Sequence, residues 1–172
     1  MDKTQLGRAG ELALSLYALV TSGGRLELFA PVTDDDHVDL VAGLRAGPPR
    51  LAIQVKTTDR VDKSGLVEAV ATYRRGEVRE DRAFIYAVIL LESVRIRTAW
   101  LVPSPAFNRL VYRTGGRDRE VLEFRASPER DDDFASFRVA PDELGPALIA
   151  EIDGATAAGP GWLQAVLEPS GG

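Results

Sequence analysis

Two nearly continuous apolar segments, residues 36–44 and 51–58, constrain the fold of this chain more than any other feature. Apolar side chains at almost every position are typical of strands that are buried on both faces. The residues between the segments include Gly47 and two prolines, which favour a turn because proline cannot donate to a strand ladder. The segments therefore predict a buried β-hairpin with its turn at residues 45–50.

The predicted hairpin brings three polar side chains together. A turn centred between residues 46 and 47 places Asp39 opposite Gln54 on the neighbouring strand. Because side chains alternate along a strand and cross-strand neighbours share a face, Gln54 and Lys56 lie on the same face as Asp39. A buried carboxylate beside a buried lysine costs free energy unless the two groups are paired or functional. This face of the hairpin is therefore the candidate functional site.

An amphipathic helix is predicted before the hairpin, over residues 4–22, and a first strand over residues 26–32. The apolar stripe of the helix recurs at three- and four-residue spacing and comprises Leu6, Ala9, Ala13, Leu16, Tyr17 and Val20. After the hairpin, residues 66–75 favour a helix that ends at Gly76. Apolar residues also alternate in this segment, so a strand is the alternative.

The second half of the chain predicts four strands and two helices. The strands span residues 83–91, 97–102, 120–126 and 136–139, and the helices span residues 104–112 and 141–152. Ser104 is the expected N-cap of the first of these helices, with Pro105 at its first position. The order of elements predicts an α/β (α+β) fold in which a mixed central β-sheet is flanked by helices.

We expect a single domain over residues 1–153, followed by a tail at residues 154–172 that is rich in glycine, alanine and proline. Within this tail, residues 162–167 are the part that could dock on the domain. The chain has no apolar run of membrane-spanning length and its first residues do not resemble a signal peptide. A cytoplasmic location without membrane contact is therefore expected.

The composition excludes several kinds of site. The chain contains no cysteine and one histidine, His37, which excludes disulfides, zinc–thiolate centres, cysteine nucleophiles and multi-histidine metal sites. The net charge of −5 argues against a strongly basic nucleic-acid-binding surface. Residues 45–82, however, carry nine basic and six acidic side chains. This local excess fits either an ordinary solvated surface or a patch that faces phosphate groups.

Asp39, the triplet Gln54-Val55-Lys56, and Glu11 within residues 7–11 together resemble the signature of the PD-(D/E)XK nuclease superfamily. In that superfamily a helix with a glutamate precedes a β-meander, whose second strand carries an aspartate and whose third strand carries (E/Q)-x-K. The Gln-x-Lys form is similar to that of methylation-dependent restriction endonucleases. The resemblance covers residues 4–58 and departs from the family where its proline before the aspartate is missing.

The resemblance implies a restriction-endonuclease-like core and a metal-dependent nuclease that hydrolyses DNA phosphodiester bonds. A hard cation such as Mg²⁺ or Mn²⁺ prefers oxygen ligands. The implied ligands are the Asp39 carboxylate, the Gln54 amide oxygen, the Val55 main-chain carbonyl and Glu11. Lys56 would orient the attacking water or stabilise developing charge. The implied contacts with nucleic acid are Thr57, Arg60 and Lys63. DNA is the implied partner, and both a homodimer and a targeting protein are compatible with it.

Each of these residues also has a purely structural interpretation. Lys56 fits a strand-end lysine with its head in water, and Asp39 fits an ion pair with Lys56. Gln54 fits a core amide with its hydrogen bonds satisfied, and Glu11 fits an ordinary solvent-facing position. The corresponding function is a catalytically inactive binding or assembly module with the same fold. A small-molecule-binding α/β domain is the third hypothesis, but the sequence has no glycine-rich phosphate loop to support it.

Overall fold

A computed structural model describes residues 2–31, 37–45 and 47–157. The α-helices of this part are α1 (Lys3–Thr21), α2 (Ser104–Leu110) and α3 (Leu144–Ala157). Its β-strands are β1 (Leu26–Phe29), β2 (Leu40–Leu44), β3 (Gly47–Thr58), β4 (Val67–Arg74), β5 (Phe84–Glu92), β6 (Arg95–Pro103), β7 (Tyr112–Gly115), β8 (Arg119–Ala126) and β9 (Arg138–Val139). Short 3-10 helices span Ala135–Phe137 and Pro141–Glu143.

The strands form two sheets. A six-stranded sheet has the order β1-β2-β3-β5-β6-β9, and a three-stranded sheet has the order β4-β8-β7. Strands β3 and β5 are parallel, whereas the other neighbouring pairs of the large sheet are antiparallel. The predicted α+β fold with a mixed central sheet is confirmed. No helix in the described ranges is long and apolar enough to cross a membrane.

Each face of the large sheet has its own hydrophobic core. Helices α1 and α3 cover one face, where Leu14 and Leu148 pack against Ile53 and Ile85. The second sheet and α2 cover the opposite face, around buried aromatic residues. The central strands are therefore buried on both sides, which explains why β5 is apolar at every position before Glu92. Helices flank the sheet on one face, and on the other face most of the cover comes from strands.

The predicted pairing of the hairpin is confirmed, but the predicted turn is wrong. Leu40 pairs with Ile53 in the register expected from the sequence. Strand β3 begins at Gly47, however, so both prolines lie inside it rather than in the turn. A shift in register beyond Gly43 pairs Leu44 with Gly47. Bulges and strand ends are the places where a sheet tolerates proline, because a missing N–H donor breaks no regular ladder there.

Helix α1 is confirmed, although the phase predicted for its apolar stripe is partly wrong. A capping box starts the helix, in which the Asp2 side chain accepts from the Gln5 N–H. The residues that α1 buries are Gly10, Leu14 and Ala18. Leu16 and Val20 are 61% and 69% exposed, contrary to the prediction. Small residues at two of the buried positions bring the helix close to the sheet, and this close packing sets its rotation.

Strand β4 occupies residues 67–74, so the helix predicted over residues 66–75 is wrong and the alternative, a strand, is confirmed. Val67, Ala71 and Tyr73 are buried, whereas the positions between them are largely exposed. All eight residues of β4 pair with β8. A segment whose sequence fits both periods is decided by its tertiary partners, and β8 is distant in the chain.

The later elements agree with the sequence apart from their ends. Strands β5, β6 and β8 match the predictions to within a few residues, whereas β7 was missed and β9 is shorter than expected. Ser104 is not the N-cap of α2, because Pro103 holds that position and the Ser104 hydroxyl bonds to the main chain of Asp81. Helix α3 continues to Ala157, beyond the end expected for the domain. The predicted docking segment at 162–167 lies outside the described residues.

The contact between α1 and β3 gives a test of the packing. A Cβ atom added at Gly10 would overlap the Thr57 side chain, with 2.8 Å to the Thr57 Cβ, whereas one added at Gly7 meets nothing within 4 Å. We expect Gly10→Ala to lower the free energy of unfolding by about 1–3 kcal/mol through overpacking. Gly7→Ala, in the same helix, should raise it by up to about 1 kcal/mol. Urea unfolding followed by circular dichroism measures both, and equal stabilities would contradict the contact.

Candidate active site

Asp39 lies directly before β2, at the point where the pairing of β2 with β3 begins. Its main-chain N–H donates to the Ile53 carbonyl at 3.0 Å. Its carboxylate oxygen Oδ2 accepts a hydrogen bond of 2.6 Å from the main-chain N–H of Val55. A short bond of this kind to a carboxylate is among the stronger hydrogen bonds of a protein. The Asp39 carboxylate is therefore fixed to β3, next to Gln54.

Gln54 and Lys56 point to the face of the large sheet that the second sheet covers. Their neighbours Ile53 and Val55 belong to the core beneath the helices, whereas Ala52 belongs to the opposite core. The alternation expected from the sequence is thus present in β3. Gln54 is only 3% exposed, and Lys56, at the end of the buried part of the strand, is partly exposed.

Two tyrosines hold the Gln54 side chain. The Tyr73 hydroxyl donates to the Gln54 Oε1 at 2.6 Å, and the hydroxyls of Tyr73 and Tyr86 are 2.7 Å apart. Tyr73 comes from β4 and Tyr86 from β5, where it pairs with Gln54 in the parallel register. The network therefore links the two sheets through the interior. Sequence reasoning missed it, although a tyrosine in the middle of an otherwise apolar strand was a usable signal.

Burial keeps both phenols protonated. It raises the pKa of Tyr73 to about 12, while the bond to Tyr86 and the charge of Arg79 act in the opposite direction. Burial also raises the pKa of Tyr86, followed by the effect of the neighbouring Tyr73. A neutral phenol donates one hydrogen bond and accepts others. At neutral pH the pair can therefore hold the Gln54 amide in one orientation.

His37 is a further neighbour of this network. Its ring meets the Tyr73 ring edge-on, with the centroids 4.8 Å apart. The backbone of His37 has a φ of 54°, which is uncommon outside glycine and marks a sharp change of chain direction before Asp39. The single histidine of the chain thus lies on the same side of the sheet as Gln54.

Glu11 lies on α1, on the helical side of the large sheet. It forms an ion pair with Arg8 one turn earlier in the helix. The neighbouring Gly10 packs directly against Thr57 near the end of β3. Glu11 therefore follows the contact residue Gly10 on the helical side of the sheet, whereas Gln54 faces the tyrosines on the other side.

The predicted contacts with nucleic acid divide into two groups. The Thr57 hydroxyl is buried under α1 and has no hydrogen-bond partner among the described residues. The contact of Thr57 with nucleic acid stays a prediction, and it would have to use atoms other than this buried hydroxyl. Arg60 and Lys63 are exposed in the loop after β3, where Arg60 forms a 3.5 Å ion pair with Asp59.

The described part of the chain has no acidic cluster of the kind that holds a metal ion. Within residues 2–31, 37–45 and 47–157, no group of three or more histidine, aspartate or glutamate side chains could hold a metal ion. A cage built mainly of carboxylates is therefore excluded there. Any cation at this site would rely on one or two carboxylates, together with main-chain or amide oxygens and oxygens from water or substrate.

The sequence matches no family model and no curated protein. Among solved structures, the fold resembles that of the bacterial homing endonuclease I-Ssp6803I, with a TM-score of 0.58 and 17% sequence identity. The alignment covers 91% of this chain and 96% of the endonuclease. The two proteins therefore share a fold over nearly their whole lengths.

The tyrosine network gives a second test. Tyr73→Phe removes the hydroxyl that satisfies the buried Gln54 oxygen, and we expect it to lower the free energy of unfolding by about 1–3 kcal/mol. Tyr112→Phe is the matched control, because Tyr112 is 68% exposed, and it should change stability by less than about 0.5 kcal/mol. Urea unfolding measures both variants. Equal stability of Tyr73→Phe and the wild-type protein would show that the hydrogen bond is unimportant.

Proposed function

We propose that the protein is a metal-dependent nuclease that hydrolyses DNA phosphodiester bonds at a site of the PD-(D/E)XK type. The observation that carries this proposal is the position of Asp39, which is hydrogen-bonded to the Val55 main chain beside Gln54 and Lys56. The endonuclease-like fold supports it, because I-Ssp6803I shares the architecture over nearly the whole chain. The proposal names Asp39, Gln54, Lys56 and Glu11 as the functional side chains.

The oxygens around Asp39 suit Mg²⁺ or Mn²⁺. Within a strand the N–H and C=O of one residue point to the same side, so the Val55 carbonyl points to the edge where Asp39 accepts the Val55 N–H. Magnesium sites often contain only one or two protein carboxylates and are completed by water and substrate phosphate. Asp39 and the Val55 carbonyl would hold the ion in this way, with Glu11 as a second carboxylate.

The side-chain oxygen of Gln54 can accept one further contact. Its Oε1 accepts the Tyr73 hydroxyl, but an amide oxygen has two lone pairs. The tyrosines thus fix which way the amide points, and the second lone pair would face the ion or a water bound to it. In this role Tyr73 and Tyr86 are positioning residues that act through Gln54.

The chemistry follows from these groups. When bound, a divalent cation polarises the phosphate and lowers the pKa of a water molecule. Lys56 would place its positive charge where negative charge develops on the phosphate during attack. Asp39 would keep its orientation throughout, because the Val55 N–H holds it. A homodimer would present two such sites to a duplex, and a partner protein would supply targeting.

The second candidate is a catalytically inactive binding or assembly module with the same fold. The observation that favours it is the Gln54 oxygen, which is neutral and already accepts the Tyr73 hydroxyl. Such a module would keep the fold and the polar network as structural features only.

Cleavage assays test the first candidate. We expect cleavage of mixed DNA substrates (duplex, single strand and junction) in Mg²⁺ or Mn²⁺, and a loss of at least about 100-fold in Asp39→Asn and Lys56→Ala. The exposed Asp153 and Lys3 provide matched controls, Asp153→Asn and Lys3→Ala, which should cleave at the wild-type rate. Wild-type protein that cleaves no substrate, or variants that cleave normally, would contradict the proposal.

Thermal unfolding separates the two candidates without relying on activity. A cation that binds only the folded state at about 100 times its Kd stabilises it by about 2.7 kcal/mol, which raises the Tm by several degrees. We expect this shift with millimolar Mg²⁺ or Mn²⁺ in the wild-type protein and its loss in Asp39→Asn. The Asp153→Asn control should keep it. Absence of a shift in the wild-type protein would favour the inactive module.

A further inference from the structure

Four arginines meet at one end of the three-stranded sheet, and we call this surface the arginine end. It comprises Arg74 and Arg75 at the end of β4, and Arg117 and Arg119 at the start of β8 and the turn before it. Arg74 and Arg119 are directly opposite each other in the antiparallel register. The Arg75 N–H donates to the Asp118 carbonyl at 3.2 Å, which ties the two segments together.

The charges of the arginine end are not neutralised by ion pairs within the described part of the chain. All four side chains are exposed, and none forms an ion pair within 4.0 Å in the described part of the chain. Like charges directly opposite each other in a sheet are destabilising. Of the nearby acids Glu77, Asp118 and Glu120, the last is already paired with Arg113. In a chain of net charge −5, this local concentration of arginine favours the binding of an anionic ligand.

The surface is shaped as two adjoining concavities. One has a volume of about 340 Å³ and the other of about 480 Å³, and Arg75 and Arg119 line both. The first continues over the turn at Gly115 and Gly116, where a side chain added at Gly116 would meet only open space. A single small anion would fill only one concavity. An extended polyanion could occupy both and contact the arginines in succession.

The arginine end begins where β4, the strand that carries Tyr73, ends. Tyr73, whose hydroxyl holds Gln54, directly precedes Arg74 on β4, and successive side chains of a strand point to opposite faces. Arg113 lines the first concavity beside Arg75 and Arg119. Burial raises the pKa of Tyr86, and the charge of Arg113 counteracts it, so this arginine lies within electrostatic range of the tyrosine network. The arginine end is therefore linked to the tyrosine network through β4, with Arg74 on the face of the strand opposite Tyr73.

We propose that the arginine end binds the sugar–phosphate backbone of DNA, independently of base sequence. This inference rests on the proposed nuclease function and names a second contact with the same substrate. Guanidinium groups suit it, because their planar donors form paired hydrogen bonds with phosphate oxygens.

Binding measured without cleavage tests the inference. Fluorescence anisotropy of a labelled DNA duplex in EDTA would compare the wild-type protein with Arg74→Gln/Arg119→Gln. The matched control is Arg25→Gln/Arg45→Gln, which removes the same charge from exposed arginines next to β1 and β2 at the edge of the large sheet, where the Arg45 N–H donates to the Arg25 carbonyl. We expect the first double variant to raise Kd about tenfold and to reduce the slope of log K against log salt by about 1.8, because each lost phosphate contact contributes about 0.9. The control should change neither quantity by a comparable amount.

Folding of the variants is checked by their Tm. Removal of the opposed charges of Arg74 and Arg119 should leave the Tm unchanged or raise it. Arg75→Gln/Arg117→Gln provides a second pair that is not cross-strand, and it should weaken binding to the same degree.

The outcomes distinguish this inference from the nuclease proposal. Normal binding by both arginine-end variants, or equal weakening by the Arg25→Gln/Arg45→Gln control, would overturn the inference while leaving the cleavage results intact. If the arginine-end variants bind more weakly and the wild-type protein cleaves nothing, the inference is supported and the nuclease proposal is rejected. Failure of the wild-type protein to bind DNA, or displacement of DNA by polyglutamate at equal charge concentration, would overturn the assignment to DNA.

Discussion

The hydrogen bond from the Val55 N–H to the Asp39 carboxylate is the interaction on which the candidate site depends. Strand β3 is longer than β2, so it extends beyond Ile53, the residue that pairs with Leu40 at the start of β2. A main-chain N–H in a partly buried strand needs a partner. At Val55 that partner is a side chain rather than another strand. The pairing of β2 with β3 therefore ends next to Asp39, and the Val55 N–H beyond it fixes the Asp39 carboxylate.

The tyrosine network has the corresponding role on the other side of β3. A glutamine amide in an apolar core would cost free energy if its oxygen had no donor. Tyr73 supplies that donor from a different sheet, and Tyr86 supplies the partner of Tyr73 from the adjacent strand. The neutral polar side chain of the candidate site is thus held by a hydrogen bond that comes from the other sheet. Both functional candidates are compatible with this arrangement, and they differ in what the second lone pair of the amide contacts.

The features that could be predicted from the sequence depend on short distances along the chain. The register of the hairpin followed from the position of one turn, and it brought Asp39 next to Gln54 and Lys56 as expected. The turn itself was predicted at the wrong residues, because the two prolines lie inside β3, where a bulge in the sheet accommodates them.

The features that were missed depend on partners that are distant in the chain. The choice of a strand for β4 is settled by β8, and the rotation of α1 by the contact between Gly10 and Thr57. The link between Tyr73 and Gln54 joins two sheets, and no periodicity within either strand contains that information.

Strand β4 joins the interior and the surface through two consecutive residues. Tyr73 points inward to the amide of β3, and Arg74 points outward, opposite Arg119. Insertion of one residue ahead of this pair would exchange their directions, so that a guanidinium would enter the core and a phenol would face water. The strand is therefore far less tolerant of changes in length than of changes in side chain. We expect the sequence of this strand to change in evolution by substitution, and we expect insertions and deletions to occur in the loops at either end.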